Sequence, residues 1–150
     1  MEIKFCDFDK KYVMELNAWQ NVEEGRGEFG LRDYVGVEGV LLGDYIDFVS
    51  SEAGIETKVA LSEDRVVGFV SYVKKKGNEI YVELIGVNPS ERGNNIAERI
   101  MSKLKNTAGS VNYKIKFRVK DTNIRGLKAF SKFSHRNNDL TYDGYTGFEY

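Results

Sequence analysis

Residues 79–106, EIYVELIGVNPSERGNNIAERIMSKLKN, decide the fold. From Ile80 to Val87 almost every residue favours a β-strand, and Pro89 ends any ladder. Ile96, Ile100 and Leu104 then recur every fourth position, which marks one face of a helix. A strand that feeds a helix through a glycine-containing turn leaves the first backbone N–H groups of that helix without partners. Their outward aim makes an anion site, and phosphate is the natural guest.

Working outward, Lys75-Lys76-Gly77-Asn78 turns the chain into this strand from an antiparallel neighbour, Val66 to Lys74, itself rich in valine and aromatics. Ser62-Glu63-Asp64 is the turn before it, and Thr57 to Leu61 another strand. Towards the N-terminus, Glu2 to Phe5 alternates as a short first strand. Asp7 or Asp9 then caps a helix with Tyr12, Val13, Leu16 and Trp19 inward. From Gln20 to Gly36 the pattern dissolves into an acidic loop with four glycines, either a segment that meets a cationic ligand or a plain solvated connection. Val37, Val40, Leu41, Tyr45, Phe48 and Val49 predict a second helix ending near Gly54. Beyond residue 106, Thr107 to Ser110 reads as a loop, and Tyr113, Ile115, Phe117 and Val119 alternate as a half-buried strand. Leu140 to Tyr142, a turn at Asp143-Gly144, and Tyr145 to Tyr150 predict a terminal hairpin.

Composition narrows the function classes. At 150 residues, with 41% hydrophobic and 30% charged side chains, the chain fits one soluble domain, with no apolar run long enough to cross a membrane and no leader-like start. A single Cys6 excludes an internal disulfide and a single His135 leaves no zinc constellation, so a cytoplasmic, metal-independent protein is expected. Cys6 reads as a buried structural thiol. Residues 1–65 carry 7 basic against 15 acidic side chains, the remainder 15 against 8. The basic part suits a phosphorylated ligand and the acidic part a cationic one, unless the two segregate along the chain without segregating in space. With no overall basic excess, and with Lys74 to Lys76 at a hairpin tip, a nucleic-acid module is poorly supported.

The segment Val87-Asn88-Pro89-Ser90-Glu91-Arg92-Gly93-Asn94-Asn95-Ile96-Ala97 resembles the cofactor signature of the GNAT acyltransferases, Val-Asp-Pro-x-x-Arg-Gly-x-Gly-Ile-Gly/Ala. Further on, Val119, Asn123 and Gly126, followed by Ala129-Phe130-Ser131-Lys132-Phe133, resemble the family's second signature, Val-x-x-x-Asn-x-x-Ala and Leu-Tyr-x-Lys-x-Gly-Phe. The resemblance implies one GNAT-like domain over residues 1–150, an α+β three-layer fold with a mixed, mostly antiparallel sheet of six or seven strands and about four helices. It implies acetyl-CoA as co-substrate. Backbone groups of Ile85, Gly86 and Val87 would hold the pantetheine arm and acetyl oxygen. Arg92 and the main chain from Gly93 through Asn94, Asn95, Ile96, Ala97 and Glu98 would take the diphosphate, and Asn123 would meet the pantetheine where two strands splay.

The closing Gly-Phe of the second signature is Ser134-His135 here, and two further departures from the family pattern bear on the chemistry. Asn95 stands at its central glycine, a mild replacement because asparagine tolerates left-handed backbone. Phe130 stands at the tyrosine that protonates the departing thiolate, and phenylalanine donates no proton. Tyr142 or Tyr145 are the candidate stand-ins; His135 could also serve, but it reads first as an exposed loop residue. For the base, some family members place a glutamate five residues before the signature asparagine, where this chain has Arg118. Glu83 is the candidate instead, sharing a strand face with Ile85 and Val87 in the absence of a bulge, where burial would tune it as a general base, or else it is simply a solvated strand residue. The implied activity is N-acetyl transfer by direct attack of a primary amine, small-molecule or peptide, with a non-catalytic acyl-CoA-binding or regulatory domain as the alternative. A homodimer is compatible with either.

Overall fold

The computed structural model describes residues 1–22, 41–107 and 113–150. The acidic glycine-bearing segment from residue 23 on, with Val37 and Val40, and the loop after Thr107 lie outside the described residues; Gln20 to Val22, expected in that loop, still belong to the first helix. Seven strands form one sheet in the order β1-β2-β3-β4-β5-β7-β6. They are β1 (Lys4–Asp7), β2 (Ile55–Ser62), β3 (Arg65–Lys75), β4 (Glu79–Val87), β5 (Lys114–Lys120), β6 (His135–Arg136) and β7 (Tyr145–Glu149). All neighbours are antiparallel except β4 and β5. Four helices are described: α1 (Val13–Val22), α2 (Leu42–Ser50), α3 (Ile96–Thr107) and α4 (Ile124–Ser131).

The two hairpins close as their turn residues dictate. Glu63 and Asp64 both take positive φ between β2 and β3, the mirror-image turn whose twist matches that of paired strands. Gly77 and Asn78 do the same between β3 and β4. One face of the sheet packs α3 and α4 around Val67, Val70, Ile80, Ile100, Leu104 and Phe117. The other packs α1 and α2 around Leu16, Trp19, Ile46, Val59 and Phe69. Burial of a side chain such as Ile100 contributes roughly 1.5–3 kcal/mol, so four inward residues of α3 hold it firmly on the sheet. Gly68 permits that approach, because a Cβ there would meet Ile100 Cδ1 at 2.5 Å.

Several expectations shift. The first strand runs two residues later than Glu2 to Phe5, and Asp9, not Asp7, is the cap: its carboxylate accepts from Lys11 N–H at a 3-10 turn ahead of α1. Helix α2 turns Leu42, Ile46 and Val49 inward while Leu41 and Phe48 are exposed, since its neighbours α1 and β2 approach from one side. Cys6 is half-buried, sharing a hydrogen bond with Tyr12 that pushes the phenol up to about 12. The terminal hairpin forms a single bridge, Tyr142 to Tyr145, and the strand beside β7 is instead His135–Arg136. His135 is thus an exposed edge-strand residue, not a loop one.

Two irregularities in β4 shape the functional end. Ser71 pairs Leu84 while Tyr72 pairs Val82, so Glu83 is an extra residue with no partner on β3. Ile80 and Val82 face the α3 core before this bulge. After it Ile85 and Val87 do so, and Leu84 faces the opposite core. The parallel ladder to β5 covers Glu79, Ile80 and Tyr81, pairing Lys114, Ile115 and Lys116. Beyond it β5 pairs only β7, and a cleft opens between β4 and β5.

Candidate active site

The cleft is a cavity of about 800 Å³. The C-terminal half of β4, the loop into α3, the end of β5 and the start of α4 line it. Of the thirteen residues read from sequence as the base or as facing the cofactor, twelve line this cavity: Glu83, Ile85, Gly86, Val87, Arg92, Gly93, Asn95, Ile96, Ala97, Glu98, Asn123 and Phe130. Asn94 does not. Its amide instead donates to the Glu91 carbonyl at 3.2 Å, bracing the loop from behind.

The loop geometry follows from its residues. Asn88 accepts from Ser90 N–H and donates to the Val66 carbonyl, so the chain leaves β4 in a short 3-10 turn at Pro89–Glu91. Glu91 is buried and paired with Arg65 at 2.8 Å. Gly93 then takes φ +90° with open space where a Cβ would stand, and Asn95 takes φ +56°. Asn95 therefore adopts the left-handed backbone that glycine adopts without strain. Its carbonyl accepts from Arg99 N–H, closing the first turn of α3. Among the described residues, nothing accepts from the N–H groups of Ile96, Ala97 and Glu98, and the Asn95 carboxamide does not reach back to them.

These amides and the positive end of a twelve-residue helix open onto the cavity, and Arg92, Arg125 and Lys132 also line it. The donor set fits a diphosphate. All three cations belong to the basic part of the chain after residue 65; Lys132 was quoted from sequence only within the second signature, and Arg125 was not named. Along the opposite wall, β4 from Val82 onward presents a backbone edge that β5 does not pair. Gly86 is required there because a Cβ would meet the Phe69 ring at 2.3 Å.

Asn123 begins α4, its side-chain oxygen accepting from Gly126 N–H at 2.9 Å, so it serves as a helix cap at the cavity rim. Phe130 is buried, with ring centroids 4.8 Å from Phe117, 5.7 Å from Phe133 and 6.4 Å from Phe148. Of the candidate hydroxyls, Tyr145 lines the cavity and Tyr142 stacks on it at 4.9 Å, while His135 lies at the sheet edge.

Glu83 is exposed at the bulge, not buried, and the bulge takes Ile85 and Val87 to the other core. Its charge is felt by two tyrosines. Tyr45 on α2 is pushed up by burial and then by Glu52 and Glu83. Burial also pushes Tyr81 up, with Glu83 adding to it, while the Arg118 guanidinium draws it back. Arg118 and Tyr81 were not singled out as ligand-facing in sequence; alternation along β5 placed Arg118 on the face away from Phe117 but not beside a cavity.

The sequence profile of the Acetyltransferase (GNAT) family matches residues 19–134. The chain belongs to the GNAT acetyltransferase family. Solved GNAT structures share the fold at low identity. PaiA N-acetyltransferase from Thermoplasma acidophilum, in complex with coenzyme A, is 14% identical over 99% of this chain and 98% of that one, with a TM-score of 0.67. The GNAT domain of S. lividans PAT is 12% identical over 99% and 89%, with a TM-score of 0.73. A structure from Bacillus anthracis, in complex with acetyl coenzyme A, is 18% identical over 67% and 64%, with a TM-score of 0.54. Among curated proteins, none matches the chain. No helix among the described residues is long and apolar enough to cross a membrane, and no group of three or more candidate metal ligands occurs among them.

Proposed function

We propose that this GNAT protein transfers an acetyl group from acetyl-CoA to a primary amine, on a small molecule or peptide, by direct attack. One observation carries the reading: a single cavity joins the unpaired edge of β4 to the unpaired first-turn amides of α3. That is the shape required by a ligand with a diphosphate at one end and an amide-bearing arm at the other. The PaiA and Bacillus anthracis structures, which hold coenzyme A and acetyl coenzyme A, support it by their fold.

Bound acetyl-CoA supplies an activated acyl group. The amides from Gly93 to Glu98 bind its diphosphate, and the Ile85 to Val87 edge orients the arm and polarises the acetyl oxygen. Glu83, at the bulge, takes the proton from the incoming ammonium. The amine lone pair forms the new C–N bond as the C–S bond breaks, sulfur leaves as a thiolate, and the second proton of the nitrogen passes to solvent to leave the neutral amide. Phe130 returns no proton, but a thiolate with an ordinary pKa of about 8.5 is a tolerable leaving group that solvent protonates.

The buried ring of Phe130 favours one second reading, a GNAT scaffold that binds acyl-CoA without turnover. Calorimetry with acetyl-CoA at micromolar protein, followed by thiol release with a panel of amines, separates the two. Binding with amine-dependent thiol release is expected. Absence of binding removes the reading altogether, and binding with no acceleration by any amine leaves the non-catalytic one.

A further inference from the structure

Glu83 and Arg118 are opposite charges that line one cavity and do not pair. The reason is register. The parallel ladder ends at Tyr81 opposite Lys116, and two residues further on each strand stand Glu83 and Arg118. Had the ladder continued, the two would face each other. The bulge and the splay pull them apart, and the cleft lies between.

Arg118 is held for a task at that place. Its Nε–H donates to the Leu140 carbonyl at 2.9 Å and Nη1–H to the Tyr81 hydroxyl at 3.2 Å, while its plane lies over the Tyr142 ring at 4.7 Å. A guanidinium carries five N–H donors. Two are engaged, the fork is fixed in orientation, and among the described residues no carboxylate lies within 4 Å of it. Glu83 likewise has no ion pair among them. Arg118 lies over the Tyr81 ring as well, at 5.7 Å, and that phenol is pushed up by Glu83 and drawn back by the guanidinium.

We propose that the acceptor is an amine that also carries a carboxylate, an amino acid or a peptide with a free C-terminus, and that Arg118 binds that carboxylate while Glu83 faces the ammonium. This rests on the transfer reading above and adds the acceptor's class to it. A zwitterion completes, across the cleft, the ion pairs that the splay denies the strands. A preoriented planar fork matches a carboxylate bidentately, which a lysine at this position would not. A phosphate dianion fits less well, because Glu83 lines the same cavity.

The competing view makes Arg118 a stitch that ties β4, β5 and the segment before β7 together. Thiol-release kinetics separate the two, with free amino acids and dipeptides, their C-terminal amides, and a phosphomonoester amine as acceptors, for the natural chain, Arg118→Met and Arg118→Lys. The natural chain is expected to prefer acids over amides by roughly 10- to 100-fold in kcat/KM, the scale of a charge-assisted contact. Arg118→Met should erase that preference and Arg118→Lys restore part of it, with acetyl-CoA affinity by calorimetry unchanged in both, which also shows that they fold. Equal rates on acids and amides, a preference for the phosphomonoester, or an equal loss on both in Arg118→Met overturns the inference while transfer itself stands. No acetyl-CoA binding, or no turnover with any amine, defeats the transfer reading and this one with it.

Discussion

Asn95 offers the sharpest test of how the loop ahead of α3 works. Its φ of +56° lies in the left-handed region, its side chain is exposed, and its carboxamide makes no hydrogen bond to another described residue. Asparagine therefore contributes there through backbone tolerance, not through a contact. Left-handed backbone costs an ordinary L-residue roughly 1–2 kcal/mol, and asparagine is several-fold enriched in it, a factor worth about 1 kcal/mol. Asn95→Ala should destabilise the fold by about that amount, a fall in Tm of roughly 2–4 °C for a chain of this size. Asn95→Gly should be close to neutral, because relief of strain is offset by a more flexible unfolded chain. It should also tighten acetyl-CoA binding, since the backbone can then approach a diphosphate without a side chain. Gly93→Ala is the internal standard: φ is +90° and no atom lies within 4 Å of the added Cβ, so any loss there is conformational. Urea denaturation and calorimetry read the three variants. An Asn95→Ala protein as stable as the natural one, or an Asn95→Gly protein that binds acetyl-CoA more weakly, refutes this account of the loop.

Gly86→Ala places a methyl 2.3 Å from the Phe69 ring, and overpacking of this kind costs about 1–3 kcal/mol; urea midpoints and acetyl-CoA affinity should both fall. Phe130→Tyr puts a hydroxyl on a ring that lines the cavity and should raise kcat in thiol release with the KM for amine little changed; no gain would show that thiolate protonation does not limit turnover. Glu79 and Lys116 pair at 2.6 Å at the closed base of the cleft, where the hydrogen bond from Lys116 holds the Glu79 carboxyl below its ordinary range and that to Glu79 raises the lysine. A lowered carboxyl pKa contributes stability above the unfolded-state value and loses it as pH falls through the folded one. The difference in urea midpoint between the natural chain and Glu79→Gln should therefore be present at neutral pH and vanish in acid, and a difference that persists at low pH contradicts the assignment.

The strand, turn and helix from Glu79 to Thr107 were legible because each rests on near neighbours: β-branched residues in a row, a proline stop, an isoleucine and leucine repeat, and glycine where the backbone turns left. The same holds for the turns at Glu63-Asp64 and Gly77-Asn78, and for the family, which two local signatures carry. Twelve of the thirteen residues read as functional line one cavity because those signatures flank the splay on both sides.

What no local pattern encodes is which strand edge stays open and which face a residue meets after a bulge. The unpaired residue at Glu83 arises from the register of β3 against β4, a relation between positions far apart in the chain. That slip exposes Glu83, sends Ile85 and Val87 to the α3 core, and parts Glu83 from Arg118. The outward turn of Phe48 and the pairing of His135 with β7 likewise depend on what packs alongside, α1 and β2 in one case and a sheet edge in the other. Periodicity and turn chemistry thus establish the elements of this protein, because short-range sterics specify them, and two local signatures carry its likeness to the family. The shape of the acceptor side comes from long-range pairing, because two strands that diverge after three ladder positions leave a gap that neither announces alone.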